Sequence, residues 1–192
     1  ILEHKEAIDV LAKPFVHYVQ NQQGDVRKHF WGLKYAKDDL VGIAIFDRLE
    51  KTLPDDLGAV GLQWKKRELE NYLCMEEVLL AYAKHDLKDD LFGNAEADQR
   101  LNAMKEAIAE VASALKTLKK LDLWSSDIKA TDEFLDPLFD KYFEKLGLAN
   151  LLKKSDYHIL ARLVPKDKID PEVIEKLDAI VEVAKKAKPR VD

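Results

Sequence analysis

The sequence predicts an α/β fold: a small, mainly parallel sheet, incomplete at its N-terminus, followed by a helical C-terminal region. Three observations carry this. Residues 40–46, LVGIAIF, form a near-continuous apolar run rich in β-branched side chains, the pattern of an interior strand covered on both faces. A second apolar run, 59–64, follows a loop marked by Pro54, Asp55, Asp56 and Gly58. From residue 75 onward, apolar positions recur at helical spacing. The chain is accordingly divided into an α/β domain, residues 1–83, and a helical domain, residues 84–192.

Residues 3–12 read as the end of a helix, with Ile8 and Leu11 apolar. Pro14 admits a short strand, Phe15–Val19, in which Phe15, His17 and Val19 share one face. Asn21–Gly24 form a turn, and Asp25 caps a helix running to about Lys37, with Val26, Phe30, Leu33 and Ala36 as its apolar stripe. Strand 40–46 then completes a right-handed β-α-β unit, and strand 59–65 extends the sheet. A helix over Met75–Ala83 comes next.

The longest helix is expected over Ala95–Leu121, with Leu101, Met104, Ile108, Val111, Leu115 and Leu118 on one face. That spacing resembles a coiled coil but is too short to be one, so the helix is read as part of an intramolecular bundle, with a homodimer through this region as the alternative. Asp132 and Glu133 open a further helical stretch after Thr131. Asp136 caps a helix that begins at Pro137 and stops at Gly147. Ser155 caps another, ending before Pro165. Asp170, Pro171 and Glu172 are the N-cap, first residue and first-turn acid of the last helix, which presents Ile174, Leu177, Val181 and Ala184 inward.

At 192 residues, 47% hydrophobic and 35% charged, the chain has room for one substantial domain or for an α/β lobe with a helical appendage. It begins with Ile rather than Met and is read as a piece of something longer. A single cysteine, Cys74, excludes an internal disulfide framework and a cysteine-rich zinc site, and is read as a buried core thiol. No apolar run approaches the ~20 residues that span a bilayer and no signal peptide is recognisable, so no membrane partner is expected and the compartment is read as cytoplasmic. No GxxxxGK[ST] phosphate loop occurs, so any ATP would act through an ATPase domain outside this chain. The net charge of −5 does not mark a nucleic-acid binder. Basic residues do cluster, at 65–67, 116–120, 153–154 and 185–190, and only the first cluster abuts acidic residues at a strand end.

The candidate chemistry lies between residues 40 and 74. The first apolar run ends on Asp47, and the second runs through Trp64 into Lys65, Lys66 and Arg67, then Glu68 and Glu70. Ligands of open α/β sheets collect at the carboxyl ends of strands, and carboxylates gathered there suit a hard cation, Mg²⁺ or Mn²⁺. Glu68 joins Glu70 on one face if the backbone is extended, but only one of the two faces inward if a helix has begun. The competing reading pairs these acids with the adjacent bases. Arg48, Lys66 and Arg67 are candidates for contacting phosphate. Asp55 and Asp56 are read as turn residues and Tyr72, Trp64 and Trp31 as core aromatics. His17 and His158 are acid/base candidates by residue type only.

The segments GIAIFDR and WKKRELENYLC resemble the Toprim domain of the overcoming-lysogenization-defect (OLD) family of ATPase-coupled nucleases, over residues 14–83. In that family a strand ending in Asp-x-Asp is followed by Arg-x-x-Glu-Asn-Tyr-Leu. The resemblance implies a Toprim-like sheet, metal-dependent phosphodiester hydrolysis, a DNA or RNA substrate and a partner ATPase domain. By position Asp47 is the first aspartate and Glu70 the signature glutamate, which makes these two the implied catalytic and metal-binding residues. Leu49 stands where the second aspartate belongs, with Glu50 beside it. Glu3 only superficially matches the family's first catalytic glutamate, which is expected upstream of Ile1. Two other readings remain open. One is a degenerate Toprim module that binds nucleic acid or a protein without cleaving; the other is a helical interaction domain built on residues 95–187.

Overall fold

The structure, a computed structural model, describes residues 4–12, 16–88 and 90–188. Among them are seven α-helices and a two-stranded parallel sheet, so the fold is α/β and mostly helical. The elements are α1 (Lys5–Leu11), α2 (Gln23–Lys34), β1 (Ile43–Phe46), β2 (Val60–Gln63), α3 (Glu76–Tyr82), α4 (Leu91–Thr117), α5 (Asp136–Lys145), α6 (His158–Leu163) and α7 (Pro171–Ala184). They form two compact units: a sheet unit, residues 2–65 with 170–192, and a helical unit, residues 66–169. The sequence division at residue 83 therefore falls inside the helical unit, because α3 packs on α4 and α6.

In the sheet unit β1 and β2 pair in parallel, in register from Ile43 against Val60 to Phe46 against Gln63. Their connection over residues 47–59 contains no helix. It ends at Gly58, whose φ of +81° suits glycine and where a Cβ would fall 2.5 Å from the Phe30 ring. The small core here is Val26, Phe46 and Leu57, with Leu49 and Leu53 packed against it. α1 lies against α7, and the two are joined by His4 Nε2 with the Asp178 carboxylate at 2.9 Å and by Lys185 with Glu6 at 3.0 Å. α7 starts as expected, with the Asp170 carboxylate accepting the Glu172 N–H at 3.0 Å and Pro171 as first residue.

Two expectations for this unit are corrected. Strand 40–46 is shorter and is not interior: β1 has one neighbour among the described residues, and Ile43–Ile45 are only half-buried. The anticipated strand over 15–19 lies partly outside the described residues, and 16–19 form no ladder. Alternation alone was insufficient because a strand needs a partner edge. Here His17 instead stacks on His29 of α2, with ring centroids 3.9 Å apart, and Tyr18 is 89% exposed.

The helical unit holds the larger core. Along α4 the residues Ala103, Met104, Ala107, Val111 and Leu115 are buried, Leu101 and Ile108 partly so, and α5 packs alongside. Leu118 lies just past the helix end and is 66% exposed, so the stripe is one residue shorter than anticipated. The helix starts four residues early because the Asp90 carboxylate caps it, accepting the Gly93 N–H at 2.8 Å.

Asp136 is not an N-cap. A π-helical turn, Ala130–Leu135, runs straight into α5, and the Asp136 carboxylate accepts a hydrogen bond from the Tyr157 hydroxyl instead. The widened turn suits Pro137, which brings no N–H to an α-helical ladder. Gly147 does end α5, at φ +68°: its N–H bonds to the Glu144 carbonyl at 3.0 Å, and Leu148 N–H to the Phe143 carbonyl at 2.9 Å, a Schellman pair. Ser155 does not cap α6; it sits in a 3₁₀ turn, Lys154–Asp156, and its carbonyl takes His158 Nδ1 at 2.9 Å. Among the described residues no helix is long and apolar enough to cross a membrane.

Candidate functional site

The carboxyl ends of β1 and β2 form one rim of the sheet unit. There the ladder closes with Trp64 N–H bonded to the Phe46 carbonyl at 2.9 Å. Asp47 follows at once, in a reciprocal pair with Asn21: the Asn21 amide donates to Asp47 Oδ2 at 2.8 Å, and Asp47 N–H donates to Asn21 Oδ1 at 2.9 Å. Asn21 reaches it from a turn in which Gln20 and Asn21 both have positive φ, 46° and 59°, a conformation asparagine tolerates well. The Arg48 guanidinium donates across the rim to the Lys65 carbonyl at 3.2 Å. Leu49 packs against the small core, while Glu50 is exposed.

On the β2 side, Lys65 N–H donates to Glu172 of α7 at 3.0 Å. Glu172 is 3% exposed and also binds Lys176 at 3.1 Å, whose ammonium lies 5.6 Å from the Trp64 ring centre. A carboxylate this deep is stable only when its oxygens are bonded, and here a backbone donor and an ammonium do so. Sequence reasoning saw Glu172 only as a first-turn acid and Asn21 only as a turn former. Neither role signals a long-range partner.

The other candidates sit in the helical unit, on the segment after β2. A 3₁₀ turn, Leu69–Tyr72, is opened by a capping box in which the Glu68 side chain accepts the Asn71 N–H and Asn71 Oδ1 accepts the Glu68 N–H at 2.8 Å. Glu68 Oε2 also takes the Thr131 N–H at 2.9 Å, at the start of the π-helical turn. Asn71, 5% exposed, donates to the Ser125 and Ile128 carbonyls, both at 3.2 Å. Tyr72 is buried, its hydroxyl accepting the Lys66 N–H at 3.3 Å, with the Lys66 ammonium 4.3 Å from its ring centre. Arg67 donates to the Asp127 carbonyl at 3.4 Å.

Glu70 pairs with Lys154 at 3.1 Å, and its side chain is 13% exposed. Its carbonyl accepts the Cys74 thiol at 3.4 Å. Burial, reinforced by the Glu70 charge, pushes that thiol above its ordinary pKa, and the half-buried Cys74 packs against the helical core. Burial likewise raises Tyr157, helped by its bond to Asp136, and pushes Tyr142 up to about 12.

The structure thus places Asp47 and Arg48 in the sheet unit and Lys66, Arg67, Glu68 and Glu70 in the helical unit. Among the described residues, no three His, Cys, Asp or Glu side chains gather closely enough to hold an ion. Asp56 pairs with Arg27 at 2.7 Å, which ties the loop to α2. Trp64 and Tyr72 are core aromatics as expected, but Trp31 is 44% exposed. Compared with known proteins, the chain matches no family model, no curated sequence and no solved structure.

Proposed function

We propose that this chain is the nuclease-type, Toprim-like region of a larger ATPase-coupled enzyme that hydrolyses nucleic acid with a divalent cation. The observation that carries the reading is Asp47 at the carboxyl end of a parallel strand pair, with its carboxylate oriented by Asn21. Asp47 and Glu70 would hold the cation, which as Mg²⁺ or Mn²⁺ supplies phosphate polarisation and an activated water. Arg48, Lys66 and Arg67 would steady phosphate groups. Glu68 serves a different end, since its carboxylate is engaged by two backbone N–H groups.

A second reading, a module that binds nucleic acid or a protein partner without cleaving it, draws support from Leu49. Its side chain lies with the core where the family pattern requires a ligand. Calorimetric titration of Mn²⁺ into the wild type, Asp47→Ala and Glu70→Gln separates the two. The nuclease reading expects weak binding heats that Asp47→Ala abolishes and Glu70→Gln diminishes. Identical heats for all three would end the metal reading and leave the binding module.

A further inference from the structure

α2 turns two unlike faces outward and inward. Val26 and Phe30 are buried, while Gly24, Lys28, Trp31 and Tyr35 recur at intervals of four, three and four along the opposite side. Two open grooves lie along α2, one on that side and one on the flank that Lys28 shares with Asp25 and His29. One, of about 620 Å³, is lined by Gly24, Arg27, Lys28 and Trp31. The other, of about 400 Å³, shares Lys28 and adds Tyr18, His17 and Asp25.

Four features of this face point the same way. Its aromatics are large and exposed, Tyr35 94% and Trp31 44%, and Tyr18, 89% exposed and ahead of the helix, lines the flanking groove. Basic side chains alternate with them: residues 16–39 hold Arg27, Lys28, Lys34 and Lys37 against Asp25, Asp38 and Asp39, in a chain whose net charge is −5. Lys34 stands 5.7 Å from the Trp31 ring centre, so a cation already borders the aromatic platform. Finally, Gly32 lies inside a 12-residue helix, where glycine costs up to about 1 kcal/mol relative to alanine, and Gly24 sits in its first turn. A Cβ at either would meet nothing within 4 Å, so the protein's own packing does not demand them, and they leave backbone bare for close approach.

We infer that this face of α2 binds single-stranded nucleic acid, with bases stacking on Tyr35, Trp31 and Tyr18 and phosphates drawn to Lys28 and Lys34. Arg27 already pairs with Asp56, and Lys37 with Asp39, so the phosphate contacts fall to the other two lysines. Stacking on exposed rings beside lysines is how unpaired strands are held without base-specific readout, because every base offers a π-face. A duplex hides those faces. An acidic peptide would satisfy the lysines but not three aromatic platforms. The inference does not depend on Asp47, Glu70 or a metal.

The test is fluorescence anisotropy of a fluorescein-labelled fifteen-nucleotide deoxythymidine strand (on the order of the longest single-fold sites) titrated with the whole chain at low salt. Saturable binding is expected, with Tyr35→Ala and Lys28→Glu each weakening it by about tenfold. Lys28→Gln should also flatten the dependence of affinity on salt by about one phosphate's share. Both positions are exposed, so a far-ultraviolet spectrum and melting point unchanged from wild type will show that the variants fold. The titration is run in chelator without divalent cation, which keeps this result separate from the fate of the metal reading. The inference is overturned by no binding, by variants indistinguishable from wild type, by equal affinity for a duplex of the same length, or by an acidic peptide that displaces nothing yet binds these residues.

Discussion

The two units bury their residues to different depths. In the helical unit Val78, Leu79, Met104, Ile128, Phe134, Leu138 and Leu160 are fully enclosed, and rings such as Tyr82 and Phe139 meet edge to face at 5.0 Å. In the sheet unit the buried cluster around Phe46 has, among the described residues, Val26 and Leu57 as its partners. Polar connections take up the difference there: Glu172 with Lys65 and Lys176, Asn21 with Asp47, and Arg27 with Asp56. One unit is specified chiefly by close packing, which excludes water from its core. The other is specified by a few directed bonds at a sheet rim and keeps its carboxylates, cations and aromatics within reach of ligands.

The largest test of that contrast is a large-to-small change in each core. Phe139→Ala should destabilise the chain by ~3–5 kcal/mol, read from urea unfolding, because the ring is 1% exposed and is surrounded by Tyr82, Tyr142 and Tyr157. Phe46→Ala should fall at or below the lower end of that range, since a thin core collapses more readily around the gap. Equal losses would show that the small core is as tightly determined as the large one.

Next in size is Glu172. Glu172→Ala leaves the Lys176 ammonium and the Lys65 N–H without their acceptor, and should cost about 3 kcal/mol. Replacing Glu172 and Lys176 together by Met should recover only the part due to the stranded ammonium, because the Lys65 N–H still lacks its acceptor. If the double replacement is as unstable as the single one, the pair is not what α7 contributes to β2.

How much of this was legible in sequence follows the same line. The helix-period stripes of α4 and α5 and the cap at Asp170 are local signals, and they identify the right core residues to within a turn. The two parallel strands are legible too, as apolar runs. The strand expected at 15–19 failed because pairing is non-local: a period of two says nothing about whether an edge exists to receive it. The candidate site divided in the same way. Asp47 is at a strand end as anticipated, whereas the backbone N–H groups of Asn71 and Thr131 that Glu68 accepts are contacts composition cannot reveal. Glu172, a hundred residues away from its donor Lys65, left no sequence signal beyond that of a helix start.

A smaller effect sharpens the claim that directed bonds organise the sheet rim. Asn21→Ala removes both bonds to Asp47 and should cost ~1–2 kcal/mol, less than the sum of two buried hydrogen bonds because the site is open to solvent. Asn21→Asp should cost at least as much, since a second carboxylate would face Asp47. Thermal unfolding of the two variants decides this, and an Asn21→Asp variant as stable as wild type would mean that the rim tolerates like charges.

The smallest effect concerns surface ion pairs, which both units carry. In the helical unit Glu133 is held below the ordinary carboxylate range by its hydrogen bond from Lys120 at 2.9 Å, against some loss of hydration, with help from the Lys129 N–H. In the sheet unit the Lys37 ammonium, bonded at 2.6 Å, lowers Asp39 in the same way. A carboxyl group with a depressed pKa contributes stability that is complete above its unfolded value and is lost as pH falls through the folded one. Both pairs should therefore help at neutral pH and vanish on acidification. Lys120→Met should cost less than about 1 kcal/mol at pH 7, because the pair is partly hydrated and screened by salt. At a pH below the lowered pKa of Glu133, the variant and the wild type should unfold together. A gap that persists in acid would assign the loss to the packing of the Lys120 stem rather than to its charge.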